Sequence, residues 1–205
     1  MKRKVIAVVR KLGVEDALKL VEVYVKAGVH AVEFAFDQHN LDSWKQTADS
    51  ISMANAHFGK DIAVGAGTVL NLDQLSVAVD AGAKFIVSPN VNSIIIERTK
   101  ENKLISIPGA FTPSEIEQAY EIGADYVKIF PADALGPNYF RALMAPFSHI
   151  KLLAFGGVTP DNINDYITAG CAGVGVSGLL ADRSRIVAGD FASIAEYAYK
   201  LVGDK

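Results

Sequence analysis

Residues 122–132 read Ile-Gly-Ala-Asp-Tyr-Val-Lys-Ile-Phe-Pro-Ala. Gly123 ends a helical pattern, and a short apolar run, Tyr126–Phe130, follows until Pro131 closes it. A run of this length between glycine and proline is the pattern of a strand covered on both faces. At its centre stands Lys128, whose ammonium is costly to desolvate without a partner. Two readings compete: the side chain snorkels to a solvated rim, or the amine is held neutral as a nucleophile.

The helix–glycine–strand junction recurs outward in both directions, at Ala27-Gly28-Val29, Ala81-Gly82-Ala83 and Ala169-Gly170-Cys171. Each glycine suits a left-handed cap before the chain enters the next strand. Strands are expected at Val5–Arg10, Ala31–Phe36, Ile62–Thr68, Phe85–Pro89, Leu104–Gly109, Tyr126–Phe130, Ile150–Phe155 and Gly173–Ser177. Helices are expected near 15–27, 41–57, 72–81, 92–102, 113–122, 137–145, 160–169 and 188–202. In the first helix Ala17, Val21, Tyr24 and Val25 share a face. Thr112-Pro113-Ser114-Glu115 is a capping box, and Thr159-Pro160-Asp161 repeats its opening. Eight apolar strands, each followed by a helix, predict an α/β fold of the minimal (β/α)8 TIM-barrel type, one domain over residues 1–205. An open doubly wound sheet is disfavoured, because Arg10-Lys11-Leu12-Gly13 lacks the G-x-G-x-x-G fingerprint.

Half of the 205 residues are hydrophobic and 21% are charged, which suits a folded chain with one sizeable core. A net charge of −3 and the lack of any long Lys/Arg run speak against nucleic acid as the main partner. The single cysteine, Cys171, excludes an intrachain disulfide and fits a reducing compartment. The start, Met1-Lys2-Arg3-Lys4, is basic like that of an export signal, but Val5–Val9 is too short and is broken by Arg10 and Lys11. No segment approaches the ~18 apolar residues of a membrane span. A cytoplasmic protein with no membrane partner is expected.

In such barrels the site lies at the C-terminal ends of the strands. The polar or glycine residues there are Arg10, Glu33, Thr68, Ser88, Asn90, Lys128, the pair Gly156-Gly157 and the pair Ser177-Gly178. Alternation along the strand turns Glu33 inward with Ala31 and Ala35, and Val32, Phe34 and Phe36 outward to the helices. Lys128 and Phe130 share a face in the same way. Glu33 and Lys128 lie on even-numbered strands and are expected in one layer of the barrel. They form either a buried ion pair or a functional acid–base and nucleophile pair. Arg10 supplies a cation that lowers the lysine pKa, or binds a carboxylate. The two glycine clusters match the usual barrel phosphate site. His30, His39, His57 and His149 are scattered, so no metal and no other cofactor is expected. Cys171 reads as a small buried hydrophobe, and Ser88 lacks a histidine base.

Taken together, Gly65-Ala66-Gly67-Thr68-Val69, Pro108-Gly109 with Thr112-Pro113-Ser114-Glu115, and Val127–Pro131 resemble the 2-keto-3-deoxy-6-phosphogluconate (KDPG)/4-hydroxy-2-oxoglutarate (KHG) aldolases over nearly the whole chain. The resemblance implies a metal-free class I aldolase, a homotrimer, with a phosphorylated 2-keto-3-deoxy sugar acid as small-molecule substrate and pyruvate as a product. It implies Lys128 as the Schiff-base lysine and Glu33 as general acid/base. Arg10 and Thr68 would hold the pyruvyl carboxylate, Phe130 and Pro89 would line the substrate pocket, and Gly156, Gly157, Ser177 and Gly178 would receive the phosphate.

The chain departs from the family pattern at three places: Asp37 replaces a frequent arginine, Phe155 a frequent threonine, and Ser177-Gly178 reverses the usual order. Arg10 is then expected to take over the task of the missing arginine. The phosphogluconate acid, with 4-hydroxy-2-oxoglutarate as a further substrate, is expected; the phosphogalactonate acid is the alternative suggested by Ser88-Pro89-Asn90, Gly136-Pro137-Asn138-Tyr139 and Gly156-Gly157-Val158-Thr159-Pro160. Rival readings are a phosphate-binding epimerase or synthase and a non-catalytic sugar-phosphate-binding barrel.

Overall fold

A computed structural model describes residues 3–203; Met1 and Lys2, half of the basic start, lie outside the described residues. The strands are β1 (Val5–Arg10), β2 (Ala31–Ala35), β3 (Ala63–Gly67), β4 (Phe85–Val87), β5 (Ile105–Ile107), β6 (Gly109–Ala110), β7 (Val127–Ile129), β8 (Leu152–Phe155) and β9 (Gly173–Val176). The helices are α1 (Val14–Ala27), α2 (Ser43–Phe58), α3 (Leu72–Asp80), α4 (Ser93–Glu101), α5 (Pro113–Glu121), α6 (Gly136–Met144), α7 (Ile163–Thr168), α8 (Arg183–Val187) and α9 (Phe191–Val202).

All strand pairs are parallel, in the order β5-β4-β3-β2-β1-β9-β8-β7-β6. The two edges of this sheet, β5 and β6, are the halves of the one strand expected at 104–109. Pro108 divides them, because proline has no N–H to give to a ladder. β5 pairs with β4 and β6 with β7, and the Pro108 carbonyl still accepts from the Lys128 N–H at 2.8 Å. The sheet edges are thus joined through the chain itself, and the sheet forms a nearly closed α/β barrel of the TIM type.

The junction glycines behave as their spacing requires: Gly28, Gly82, Gly123 and Gly170 all have positive φ, between 78° and 107°. The strand pattern sorts the core into two layers. Val32, Phe34 and Phe36 pack outward against the helices. Ala31 packs inside the barrel with Ile6, Val8, Phe85, Val87, Ile107, Leu153 and Phe155. Glycines make room for the large rings there: a Cβ at Gly65 would lie 2.6 Å from Phe85, and one at Gly175 would overlap Phe155. On α1, Ala17, Val21 and Tyr24 are fully buried as expected.

Two helix starts differ from expectation. The Thr159-Pro160-Asp161 segment is a turn, its Thr159 N–H capped by the Asn162 side chain at 2.8 Å, and α7 begins only at Ile163. The last helix begins at Phe191, because Gly189 at φ 72° separates it from the unpredicted α8. No described helix is long and apolar enough to cross a membrane.

Candidate active site

A cavity of about 420 Å³ opens at the C-terminal mouth of the barrel. Of the residues singled out in the sequence, Arg10, Lys128, Phe130, Gly156, Gly157, Ser177 and Gly178 line it. Glu33, Thr68 and Pro89 lie outside its lining.

Lys128 is the central residue of β7 and is 4% exposed. Its Nζ sits 4.8 Å from the centre of the Phe130 ring and 4.7 Å from that of Phe155. Burial pushes its pKa below the ordinary lysine value; the Glu33 carboxylate opposes that shift and the Arg10 guanidinium adds to it. The aromatic faces attract the ammonium form, but they also exclude water, and the balance lies with desolvation.

Glu33 stands on β2, opposite β7. Three barrel strands separate the two on one side (β1, β9, β8), and three on the other (β3, β4 and the divided β5/β6). Glu33 is 1% exposed, and neither carboxylate oxygen has a hydrogen-bond partner. Gly67 on the neighbouring strand gives it room, since a Cβ there would lie 2.5 Å from Oε1. Burial raises its pKa, against the pull of Lys128 and Arg10. Each feels the other's charge. The alternative of a buried ion pair does not hold, because the orphaned carboxylate oxygens make no bond to the amine.

Arg10, at the end of β1, is exposed and donates to the Thr68 hydroxyl at 3.2 Å. Thr68 has φ 57°, a strained conformation for a β-branched residue. It is held by Gln38, which donates to the Thr68 carbonyl at 2.9 Å and accepts from the buried Gln74 at 2.9 Å. This glutamine chain escaped sequence reading, since nothing in its spacing joins residues 38 and 74. Asp37 pairs with Lys11 at 2.9 Å, which holds its carboxyl below the usual range and offsets its charge at the mouth. Pro89 packs its backbone against Gly109, where a Cβ would collide with it.

Gly156 and Gly157 follow β8 with φ 94° and 69°, a backbone conformation that glycine adopts without strain. Gly157 lies tight against Asp133. Thr159, Leu179 and Tyr197 also line the cavity and were not expected there. Thr159 was within reach of sequence reasoning, two residues beyond Gly157; Tyr197 was not, as it arrives on α9. Among the described residues no three His, Cys, Asp or Glu side chains converge on one point. Cys171 is buried, its thiol pushed up to about 12 by that burial, as suits the hydrophobe expected there.

Comparison with known proteins places this geometry among relatives. Residues 1–197 match the family described as KDPG and KHG aldolase. Over 176 residues the chain is 39% identical to the 2-dehydro-3-deoxy-6-phosphogalactonate aldolase of Escherichia coli K12, covering 85% of this chain and 83% of that protein. A solved structure of native KDPGal superposes with a TM-score of 0.87 at 36% identity, covering 97% of this chain and 92% of the other. The KDPG aldolase of Legionella pneumophila, with pyruvate captured at low pH as a covalent carbinolamine, superposes with a TM-score of 0.85 at 26% identity, covering 98% and 95%.

Proposed function

The chain belongs to the KDPG and KHG aldolase family, and from that membership we propose a class I aldolase that uses Lys128 as its Schiff-base nucleophile. As an aldolase it is a carbon–carbon lyase. The observation that carries the mechanism is the Lys128 amine, 4% exposed, lowered in pKa and lining the cavity across the barrel from an unpartnered Glu33. In its neutral form that amine attacks the C2 ketone of a 2-oxo acid to give a carbinolamine, and loss of water gives the iminium. Glu33 moves the protons. Removal of the C4 hydroxyl proton lets the C3–C4 bond break, its electron pair enters the iminium as an enamine, and the aldehyde leaves. Protonation at C3 and hydrolysis then free pyruvate and the amine. Arg10, with Thr68 bonded to it, receives the pyruvyl carboxylate. Phe130 and Pro89 shape the pocket, and Gly156, Gly157, Ser177 and Gly178 receive the phosphate.

For the sugar acid, 2-keto-3-deoxy-6-phosphogalactonate is the better-supported substrate, with the phosphogluconate epimer second. The support is the 39% and 33% identity to relatives named phosphogalactonate aldolases, against 31–32% to relatives named phosphogluconate aldolases. Both acids yield pyruvate and glyceraldehyde 3-phosphate, because the differing carbon, C4, becomes the aldehyde. The proposal includes a cytoplasmic enzyme that assembles as a homotrimer.

Borohydride reduction with pyruvate, followed by peptide mass mapping, tests the mechanism. A reduced pyruvate adduct on Lys128, absent in Lys128→Ala, is expected; an unmodified folded protein overturns it. Glu33→Gln is expected to lower kcat by on the order of 10²–10⁴-fold. Pyruvate release from the two epimeric acids, compared as kcat/KM, decides the substrate, and a preference for the gluconate acid makes it the first substrate and the galactonate acid the second.

A further inference from the structure

Tyr197 reaches the cavity from α9, which packs on the 3-10 turn Gly178–Ala181. Its ring is half-buried against the core, and its hydroxyl has no partner among the described residues. Four of the other six tyrosine hydroxyls are committed: Tyr24 donates to the Leu180 carbonyl at 2.6 Å, Tyr139 to Phe111 at 2.8 Å, Tyr166 to Ala132 at 3.3 Å and Tyr199 to Lys26 at 3.2 Å; Tyr120 and Tyr126 share the lack of a partner among the described residues, but neither lines this cavity. Packing alone would be served by phenylalanine at 197, so the hydroxyl is free for something in the cavity.

The charge of the cavity says what that is. Its lining holds two cations, Arg10 and Lys128, and no carboxylate. Under the class I aldolase reading, on which this inference rests, both cations serve the oxo-acid end. The distal end is left with neutral donors: the Gly156 and Gly157 backbone, Ser177, Thr159 and Tyr197. Arg185 and Lys200 border a separate hollow that shares Leu179 and Tyr197 but stay outside this lining, and a phosphate with no lysine or arginine in its lining needs several neutral N–H and O–H donors to replace its water. Burial and the nearby Asp161 keep the phenol protonated, and so a donor.

We propose that Tyr197 is a specificity-determining residue that donates its phenolic O–H to the terminal phosphate of the substrate. Tyr197→Phe removes that one oxygen and keeps the ring. The assay is condensation of pyruvate with D-glyceraldehyde 3-phosphate and with unphosphorylated D-glyceraldehyde, for wild type and variant. The ratio of kcat/KM for phosphorylated over unphosphorylated aldehyde is expected to fall in the variant by on the order of tenfold or more, as for a lost hydrogen bond to a charged group. An unchanged ratio, or equal loss on both aldehydes, overturns the proposal, because a merely structural tyrosine affects both alike. Borohydride trapping of pyruvate on wild-type Lys128 separates the two inferences. No wild-type adduct sinks the class I reading, whereas an adduct with an unmoved ratio sinks only the role of Tyr197.

Discussion

Gly175 and Phe155 sit side by side on adjacent strands, and the ring occupies the space a Cβ at 175 would need. That ring also forms one face of the surroundings of the Lys128 amine. Gly175→Ala therefore overpacks the layer beneath the amine. It is expected to cost about 1–3 kcal/mol by denaturant unfolding and to slow pyruvate trapping. Adding Phe155→Val should recover much of the lost stability, a coupling of roughly 1 kcal/mol or more; simple additivity would mean the two groups do not compete for space. The amine itself sets a pH dependence. Attack needs the neutral form, and the lysine pKa lies below its ordinary 10.5. The trapping rate should thus climb with pH through the lowered pKa and level off before 10.5, whereas a climb continuing past that value would place the lysine in water.

At the scale of elements, α5 tests how far a short motif fixes a helix start. The Thr112 hydroxyl accepts from the Glu115 N–H at 3.4 Å, and the Glu115 carboxylate accepts from the Thr112 N–H at 2.8 Å and the Phe111 N–H at 2.9 Å. These bonds hold the Glu115 carboxyl below its ordinary 4.5. Its folded pKa is depressed, so its contribution is full above 4.5 and is lost as pH falls through the folded value. Thr112→Ala or Glu115→Ala is expected to cost on the order of 1 kcal/mol at pH 7. For Glu115→Ala the difference from wild type should shrink in acid, and a pH-independent difference would rule out the carboxylate's part. The other Thr-Pro segment, at Thr159, starts a turn: the Asn162 side chain accepts from the Thr159 N–H and makes no cap bond to α7. The local motif was legible in both places; which bond partner won was not.

For the whole molecule, the exposed apolar side chains Leu70, Leu72, Ile94 and Phe111, which follow β3, β4 and β6 in the loops and first helical turns, are the candidate contact with a further copy. Light scattering is expected to give three times the 21.9 kDa of the chain, and paired Ile94→Asp and Phe111→Asp changes to lower it. A mass of one chain for the wild type would remove the trimer from the reading.

Sequence alone determined the strand and helix order, the left-handed glycine caps and the inward faces of β2 and β7, because each follows from local geometry and a period of two or 3.6 residues. It also singled out Lys128 and Glu33, since an ionisable residue inside an apolar run is conspicuous without any neighbour. Tertiary structure alone decided what lies between them. Barrel closure through Pro108, the gap that leaves Glu33 unpartnered, the ring of Phe155 in the hollow of Gly175 and the arrival of Tyr197 all join residues far apart in the chain. Such contacts are set by how layers of unequal side chains fill one closed volume, and no local period encodes that.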